Sequence, residues 1–447
     1  MVAARTPTLQ THPMSAVDAA WYHIDGPVNT AVVTAVAITA RPLTLRRLRA
    51  VLERDLLCFD RFRQRVVEQG FPIATPAWQD VDDLDLDSHL RHVALPAPQD
   101  DAALRALVDE LASTPLDPAR PLWQVHLVER VGAGSAMVLR YHHCIGDGTA
   151  MMTVASRLFD MPHGSSVRPP IPPRPEPGLV EQASLVLGGA AALLTQLVKT
   201  SDPPSPFKGE FGAGKRVAWS EPVDIADVKA IGEGIGAKVN DVLVAATAGA
   251  LRAYLRGRGI DTAHTTLRAM VPVDLRPAER AGELGNEFGL VILDLPVSQA
   301  RMIDRLKATK RRMDALKNSP LALAMQLLFD IFGRVPKALE DVASLVFGSK
   351  TSLVLTNVIG PRARVGLAGV PVERMMFCVP HPGRELGMGV SILSYAGRAT
   401  LTVIADAHLV PDPEAITRGF NREFAAMQRR VAGLCAGARR ARATPQE

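Results

Sequence analysis

The side chains best suited to chemistry lie in one run, His142-His143-Cys144-Ile145-Gly146-Asp147-Gly148. Residues 135–143 alternate in the manner of a strand, with Met137, Leu139, Tyr141 and His143 on one face and Ala136, Val138, Arg140 and His142 on the other. A strand that runs through the pair sends the two rings in opposite directions, so one can face a cleft while the other is anchored in structure. Imidazole titrates near neutrality, so it can take a hydroxyl proton as the oxygen attacks and hand it to a departing group. We read His143 as this general base and His142 as its support. Gly146 and Gly148 permit a tight turn, and the apolar run from Thr149 to Phe159 predicts a helix after it. Asp147 follows too closely past the turn to be taken as an orienting carboxylate. It reads instead as a structural ion pair that fixes the loop, with Arg276 as the candidate partner by loop position.

Competing readings attach to several of these residues. A histidine pair can ligate a metal, but no His-x-x-x-His helix or Cys-His cluster accompanies this one, and no metal is expected. Cys144 adjoins the base and invites a thiolate reading, although free cysteines are commonly small buried hydrophobes. Trp123 is either core or a ligand platform, and Asn240 with Asp241 either cap a helix or touch a substrate.

These groups must be positioned by two α/β units. A proline-dense stretch, 161–177, can be neither helix nor central strand and reads as a linker. It divides the chain into an N-terminal unit, 1–160, a crossover, 161–215, holding one apolar helix over Leu179–Lys199, and a C-terminal unit, 216–447. In the first unit Ala31–Thr39 reads as a strand, and Leu43–Leu57 and Asp101–Ala112 as helices. In the second, Val239–Leu255 and Arg301–Leu316 read as helices. Strands are predicted at Leu267–Val273, Phe288–Leu295, Ser352–Leu355, Gly389–Ser394 and Thr400–Ala405. The pattern is α/β with mixed sheets, without strict βαβ alternation, a phosphate-binding glycine turn or an internal repeat.

With 447 residues, 47% hydrophobic and 22% charged, the chain has ample apolar surface for two large domains and is neither disordered nor fibrous. A net charge of +5 is a mild bias and not a nucleic-acid footprint. Four scattered cysteines form no disulfide framework, and no charged segment followed by an apolar run opens the chain, so a cytoplasmic protein is expected. No apolar stretch reaches the length of a membrane span, and the nearest, Ala183–Val198, reads as a buried or interfacial helix.

The histidine motif and the segments around it resemble the bacterial wax ester synthase/diacylglycerol acyltransferase family, whose motif is His-His-x-x-x-Asp-Gly. The resemblance runs nearly end to end. It includes the opening Pro13–Ala19 with its Ser-x-x-Asp pattern, Arg61–Arg65, Asp85–Val93 and Pro121-Leu122-Trp123. In the second half it takes in Asn240-Asp241, Met270–Arg276, Gly285-Asn286 and Thr356–Pro361, where Ile359 stands in place of a family proline. Asn286 and Asn357 become substrate-binding or structural candidates on this ground alone.

The resemblance implies two similar chloramphenicol acetyltransferase-like domains meeting along a tunnel, with the histidine motif at the junction. It implies transfer of a fatty acyl group from acyl-CoA to diacylglycerol, to a long-chain alcohol, or to both, without a covalent intermediate. Acyl-CoA is then a substrate and no cofactor is expected. A peripheral place on a membrane or lipid droplet would follow from the substrates. The apolar stretch Leu321–Phe347 is either a core helix or the wall of an acyl channel, and the basic tail Arg429–Arg442 either a solvated helix end or a contact for anionic lipid or CoA phosphates. Two rival readings stay open, an acyltransferase with a polyketide-derived or other acceptor and a noncatalytic acyl-lipid-binding protein.

Overall fold

Runs of β-branched and aliphatic residues become strands, and the way those strands pair decides where the histidines stand. The computed structural model describes residues 10–26, 28–68, 75–161, 202, 205–212, 214–280, 282–317, 349–381 and 386–443, without the side chains of 432–443. The crossover helix Leu179–Lys199, the apolar stretch Leu321–Phe347 and most of the basic tail's side chains lie outside the described residues.

The strands, in chain order, are β1 Thr11–Pro13, β2 Val32–Thr39, β3 Gln64–Val67, β4 Ala77–Asp80, β5 Leu90–Val93, β6 Trp123–Val131 and β7 Gly134–His142. They continue as β8 Lys215–Trp219, β9 Val223–Asp224, β10 Leu267–Asp274, β11 Phe288–Leu295, β12 Leu353–Ile359, β13 Gly366–Leu367, β14 Val370–Cys378, β15 Met388–Tyr395 and β16 Arg398–Asp406. Two large mixed sheets result. One has the order β13-β14-β2-β7-β6-β5, and the other β11-β10-β12-β15-β16-β8 with β9 beside β16. A small sheet, β1-β4-β3, flanks the first. Parallel pairs occur at β5/β6, β10/β12 and β12/β15, and the remaining pairs are antiparallel, so both large sheets are mixed and the small one is antiparallel.

In the first sheet β2 and β7 pair antiparallel with Val32 opposite His142 and Val36 opposite Val138. Both faces of this pair are buried. Val36, Ile38, Ala136 and Val138 pack in one cluster with Leu104 and Val108, while Val33, Ala37, Met137 and Tyr141 pack in another. Leu104 and Val108 come from a helix of Asp101–Ser113, started by Asp100, whose side chain accepts from the N–H groups of Ala102 and Ala103. Burying each such aliphatic side chain contributes about 1.5–3 kcal/mol.

Three sequence expectations change here. Strand β7 stops at His142, and His143–Ile145 form a 3₁₀ turn, so strand alternation does not aim the second ring. The helix read at Val239–Leu255 spans Val239–Gly257 with Lys238 as its N-cap residue. Neither Asn240 nor Asp241 is the N-cap; Asp241 stands in the first turn and its Oδ2 accepts from the Lys238 N–H at 2.8 Å. The unit 216–447 is also not spatially separate. Its β14 pairs antiparallel with β2, Phe377 opposite Ala35, and so completes the N-terminal sheet. Pro371 and the Glu373-Arg374 pair hide this strand from a hydrophobicity pattern, and its register shifts between Val372 and Arg374.

Candidate active site

Two short helices bring the site together from the N-terminal half. The first, α1 (Ala16–His23), is capped by Ser15, whose hydroxyl accepts from the Asp18 N–H at 3.1 Å. The second, Gly148–Leu158, is capped by Asp147, whose Oδ1 accepts from the Ala150 N–H at 2.9 Å. This is the N-cap arrangement expected of an aspartate before a helix. The second oxygen of Asp147 reaches the C-terminal half. Its Oδ2 accepts from Arg276 Nη2 and from the Glu287 N–H, each at 2.9 Å. The Arg276 and Asp147 side chains are 1% and 8% exposed, so this ion pair is desolvated; both Asp147 oxygens are hydrogen-bonded, whereas Arg276 Nε has no partner among the described residues. Arg276 also donates to the Glu283 and Gly285 carbonyls.

The same turn is stitched to Gly285 by backbone, the Asp147 N–H donating to the Gly285 carbonyl and the Gly285 N–H to the Ile145 carbonyl. Gly285 has φ of +109°, a backbone conformation that favours glycine, and a Cβ there would lie 3.4 Å from the Asp18 carboxylate. The tight approach delivers the next residue, Asn286, to the histidine.

His143 Nδ1 lies 3.0 Å from Asn286 Oδ1, and the imidazole stacks on Trp21 with ring centres 3.9 Å apart and planes 14° from parallel. Phe288 stands 5.9 Å away on a tilt. Nδ1 being committed, Nε2 is the ring nitrogen left for a substrate; it has no hydrogen-bond partner among the described residues. Burial pulls the imidazole down to about 4, with the Asp147 charge opposing that shift. His143 is therefore neutral at pH 7 and holds a free lone pair.

His143 borders a cavity of about 360 Å³ between the two halves, with Asp147, Gly148, Thr149 and Tyr141 from one side and Pro272, Asp274, Phe288 and Asn357 from the other. An apolar annex of about 110 Å³ adjoins it, lined by Met151, Val154, Ala155, Leu158, Val36 and Met376. The two spaces share Val33, Tyr141, Gly148, Met152, Val358 and Phe377. A polar reaction centre thus opens onto a hydrocarbon-like recess, the combination an acyl substrate needs.

The remaining candidates divide. His142 is 2% exposed; its Nδ1 accepts from the Cys144 N–H at 3.2 Å and its Nε2 lies 3.7 Å from Asp25, so it braces the turn. Trp123 is fully buried, donates Nε1–H to the Phe62 carbonyl at 2.8 Å and stacks on His89 at 4.5 Å, which makes it core and not a ligand platform. Asn357 lines the cavity and donates to Asn240 Oδ1 at 2.8 Å, tying β12 to the helix of Asn240, whereas Asp241 acts within that helix. Cys144 is buried and its thiol is pushed well up by burial, which removes it as a nucleophile. Among the described residues no cluster of three or more His, Cys, Asp or Glu side chains is arranged to hold a metal ion. Sequence reasoning missed Trp21 and Phe288 as ring neighbours of the base, and Asp18 and Arg61 as the pair behind Asn286. The spacing of Asp18 and Trp21, three apart just after a Ser N-cap, was the available signal, since i and i+3 share a helix face.

Comparison with known proteins shows which family and fold this chain resembles. Residues 14–202 match the wax ester synthase/diacylglycerol acyltransferase catalytic domain, and residues 284–428 match the WS/DGAT C-terminal domain. A Mycobacterium tuberculosis protein that bears a diacylglycerol O-acyltransferase name is 27% identical, with 91% of this chain and 88% of that protein covered. Another from that organism, a probable diacylglycerol O-acyltransferase, is 32% identical over 67% of this chain and 72% of its own length. Among solved structures, the wax ester synthase/diacylglycerol acyltransferase from Marinobacter aquaeolei VT8 superposes with a TM-score of 0.70 at 21% identity, covering 94% of this chain and all of that one. A starter condensation domain of rhizomide synthetase, solved with C8-CoA, has a TM-score of 0.59 at 15% identity and covers 95% of both chains. At that identity these structures speak for the fold alone, two chloramphenicol acetyltransferase-like halves. The family matches and the curated relatives together establish the affiliation: the chain belongs to the wax ester synthase/diacylglycerol acyltransferase family.

Proposed function

We propose that this chain is an acyl-CoA-dependent O-acyltransferase that moves a long-chain acyl group to diacylglycerol or to a long-chain alcohol, with His143 as general base. One observation carries the reading. A neutral, buried imidazole with Nδ1 fixed by Asn286 borders a cavity that continues into an apolar annex. The acceptor hydroxyl gives its proton to His143 Nε2 while its oxygen attacks the thioester carbonyl. The tetrahedral intermediate then collapses, the carbon–sulfur bond breaks, and the departing CoA thiolate takes the proton back from Nε2. Proton transfer of this kind is worth about 100 to 10,000-fold in rate, and holding the two substrates together supplies much of the rest. Asp147 and Arg276 shape the turn and move no proton. The reaction needs no cofactor, and acyl-CoA enters and leaves as substrate and product.

Both substrates reside at lipid surfaces, so we place the working enzyme peripherally, on a membrane or lipid droplet. No helix among the described residues is long and apolar enough to cross a membrane. The decisive experiment follows CoA release from palmitoyl-CoA with and without diacylglycerol, hexadecanol and a panel of other alcohols and amines. Release that depends on diacylglycerol or the long-chain alcohol, and disappears in a folded His143→Ala variant, is the expected result. Equal turnover by that variant removes the mechanism, and turnover with only another acceptor removes the substrate assignment.

A further inference from the structure

The hydrogen bonds around Asn286 constrain more than its position. Its side-chain nitrogen faces two acceptors, Asp18 Oδ1 at 2.8 Å and the carbonyl of His143 at 2.8 Å. Its backbone N–H donates to the same Asp18 oxygen at 2.9 Å. With both acceptors on the nitrogen side, the amide oxygen must be the atom that faces His143 Nδ1 at 3.0 Å. An amide oxygen only accepts, so Nδ1 must carry the proton and Nε2 the lone pair. Asp18 is 1% exposed, and Arg61 Nη2 stands 3.6 Å from its other oxygen while the guanidinium lies 4.1 Å over Trp78. An aspartate at the third position of a helix ordinarily returns to the N-cap N–H; here the carboxylate is directed across the junction, to a residue 268 positions along the chain.

We infer that Asp18 is a positioning residue that locks the side-chain amide of Asn286 and, through it, holds His143 in the Nδ1–H tautomer required of a base acting through Nε2. The inference rests on His143 as the base and adds a helix from the beginning of the chain to the reaction machinery. Asp18 touches neither substrate nor the imidazole; it acts through Asn286. Oδ1 is the acceptor of both Asn286 N–H groups, and Arg61 on the far side opposes the upward pull of burial on the Asp18 carboxyl. In Asp18→Asn the new amide turns its oxygen to Arg61 and its NH2 to Asn286, so a donor meets a donor and the Asn286 amide loses its single orientation. The imidazole then populates the Nε2–H form, which has no lone pair to offer the acceptor hydroxyl.

The test combines kinetics with a readout that a merely structural role does not move. Full-length protein labelled with 15N-histidine is examined at neutral pH by long-range proton–nitrogen correlation, the His143 signals being assigned by their loss in His143→Ala. Wild type is expected to show the Nδ1–H tautomer, and Asp18→Asn a mixture of the two tautomers. The expected kinetic change is a fall in kcat of about 100-fold with KM altered by less than about threefold. An Nε2–H tautomer in the wild type overturns the inference without any variant, even should Asp18→Asn fail to fold. It is equally overturned by a folded Asp18→Asn that loses activity with an unchanged tautomer, or that keeps kcat within about threefold. The tautomer is read without substrate, so failure of this inference and failure of the acyltransferase reading are separate results.

Discussion

The two sides of the His143 ring are built in opposite ways. Around Nδ1 the structure is closed, with Asn286 hydrogen-bonded, Asp18 behind it, Arg61 behind that, and Trp21 flat against the ring. Nε2 has no hydrogen-bond partner among the described residues, and His143 borders the cavity that adjoins the apolar annex. His142, the adjacent residue, is buried, with Nδ1 hydrogen-bonded to the Cys144 N–H and Nε2 3.7 Å from Asp25 without a hydrogen-bond partner among the described residues. It is not among the residues lining the cavity. A buried base needs one nitrogen fixed so that the other has a defined direction and protonation state, and a place on the cavity wall where a substrate can reach it; of the two rings only His143 combines both. Burial also makes the imidazole a weaker base, and the Asp147 charge offsets only part of that loss.

The largest expected effect comes from abolishing the asymmetry outright. His143→Ala should lower acceptor-dependent CoA release by about 1,000-fold or more while circular dichroism and melting stay near wild type. Next is Arg276→Met, which leaves Asp147 charged, buried and without its cation. Urea unfolding should report a loss of about 3–5 kcal/mol, and activity should fall with the deformed turn. Replacing both Asp147 and Arg276 by apolar residues of similar volume should restore much of the stability, a check that the pair acts on structure.

Titration probes the closed side through its effect on the ring. The acid limb of kcat/KM should fall through a pH of about 4, below the unperturbed value near 6.5, because His143 is held near 4 by burial. His126 is likewise held at about 4 by burial and by Arg140. Both histidines are depressed in the fold, so the unfolded chain binds more protons between about 6.5 and 4. Their contribution to stability is therefore fully present above about pH 6.5 and is lost as pH falls towards 4. Melting temperatures measured across that range test the sign. The smallest effect concerns the open side. Ala155→Phe projects into the annex from the helix of Asp147, and excluding about two methylenes of an acyl chain costs about 1.6 kcal/mol. Competition between short and long acyl-CoAs should then shift by roughly tenfold toward the shorter.

Much of this site is legible in the amino-acid sequence because its chemistry is local. The motif run, its glycine turn and the following helix occupy consecutive residues, and an aspartate just before a helix is a natural cap. Strands such as Phe288–Leu295 and Leu267–Asp274 carry β-rich apolar runs and appear where the pattern predicts them. Strand β14 does not, because proline and a charge pair interrupt its alternation while its pairing partner lies more than 300 residues away. Asp18 and Trp21 escaped for a related reason, since an aspartate near a helix start and an aromatic on its buried face have ordinary local explanations.

Residue order alone dictates that a histidine pair closes a strand before a glycine turn and a helix, in a chain of two mixed α/β halves. Which ring faces the cavity, which nitrogen is tied, and which distant residues do the tying were settled by the folded arrangement. Local spacing governs turns and caps through backbone geometry. The direction of a hydrogen-bond relay depends on donors and acceptors brought together across 268 residues by the closure of two sheets, and no local pattern encodes that meeting.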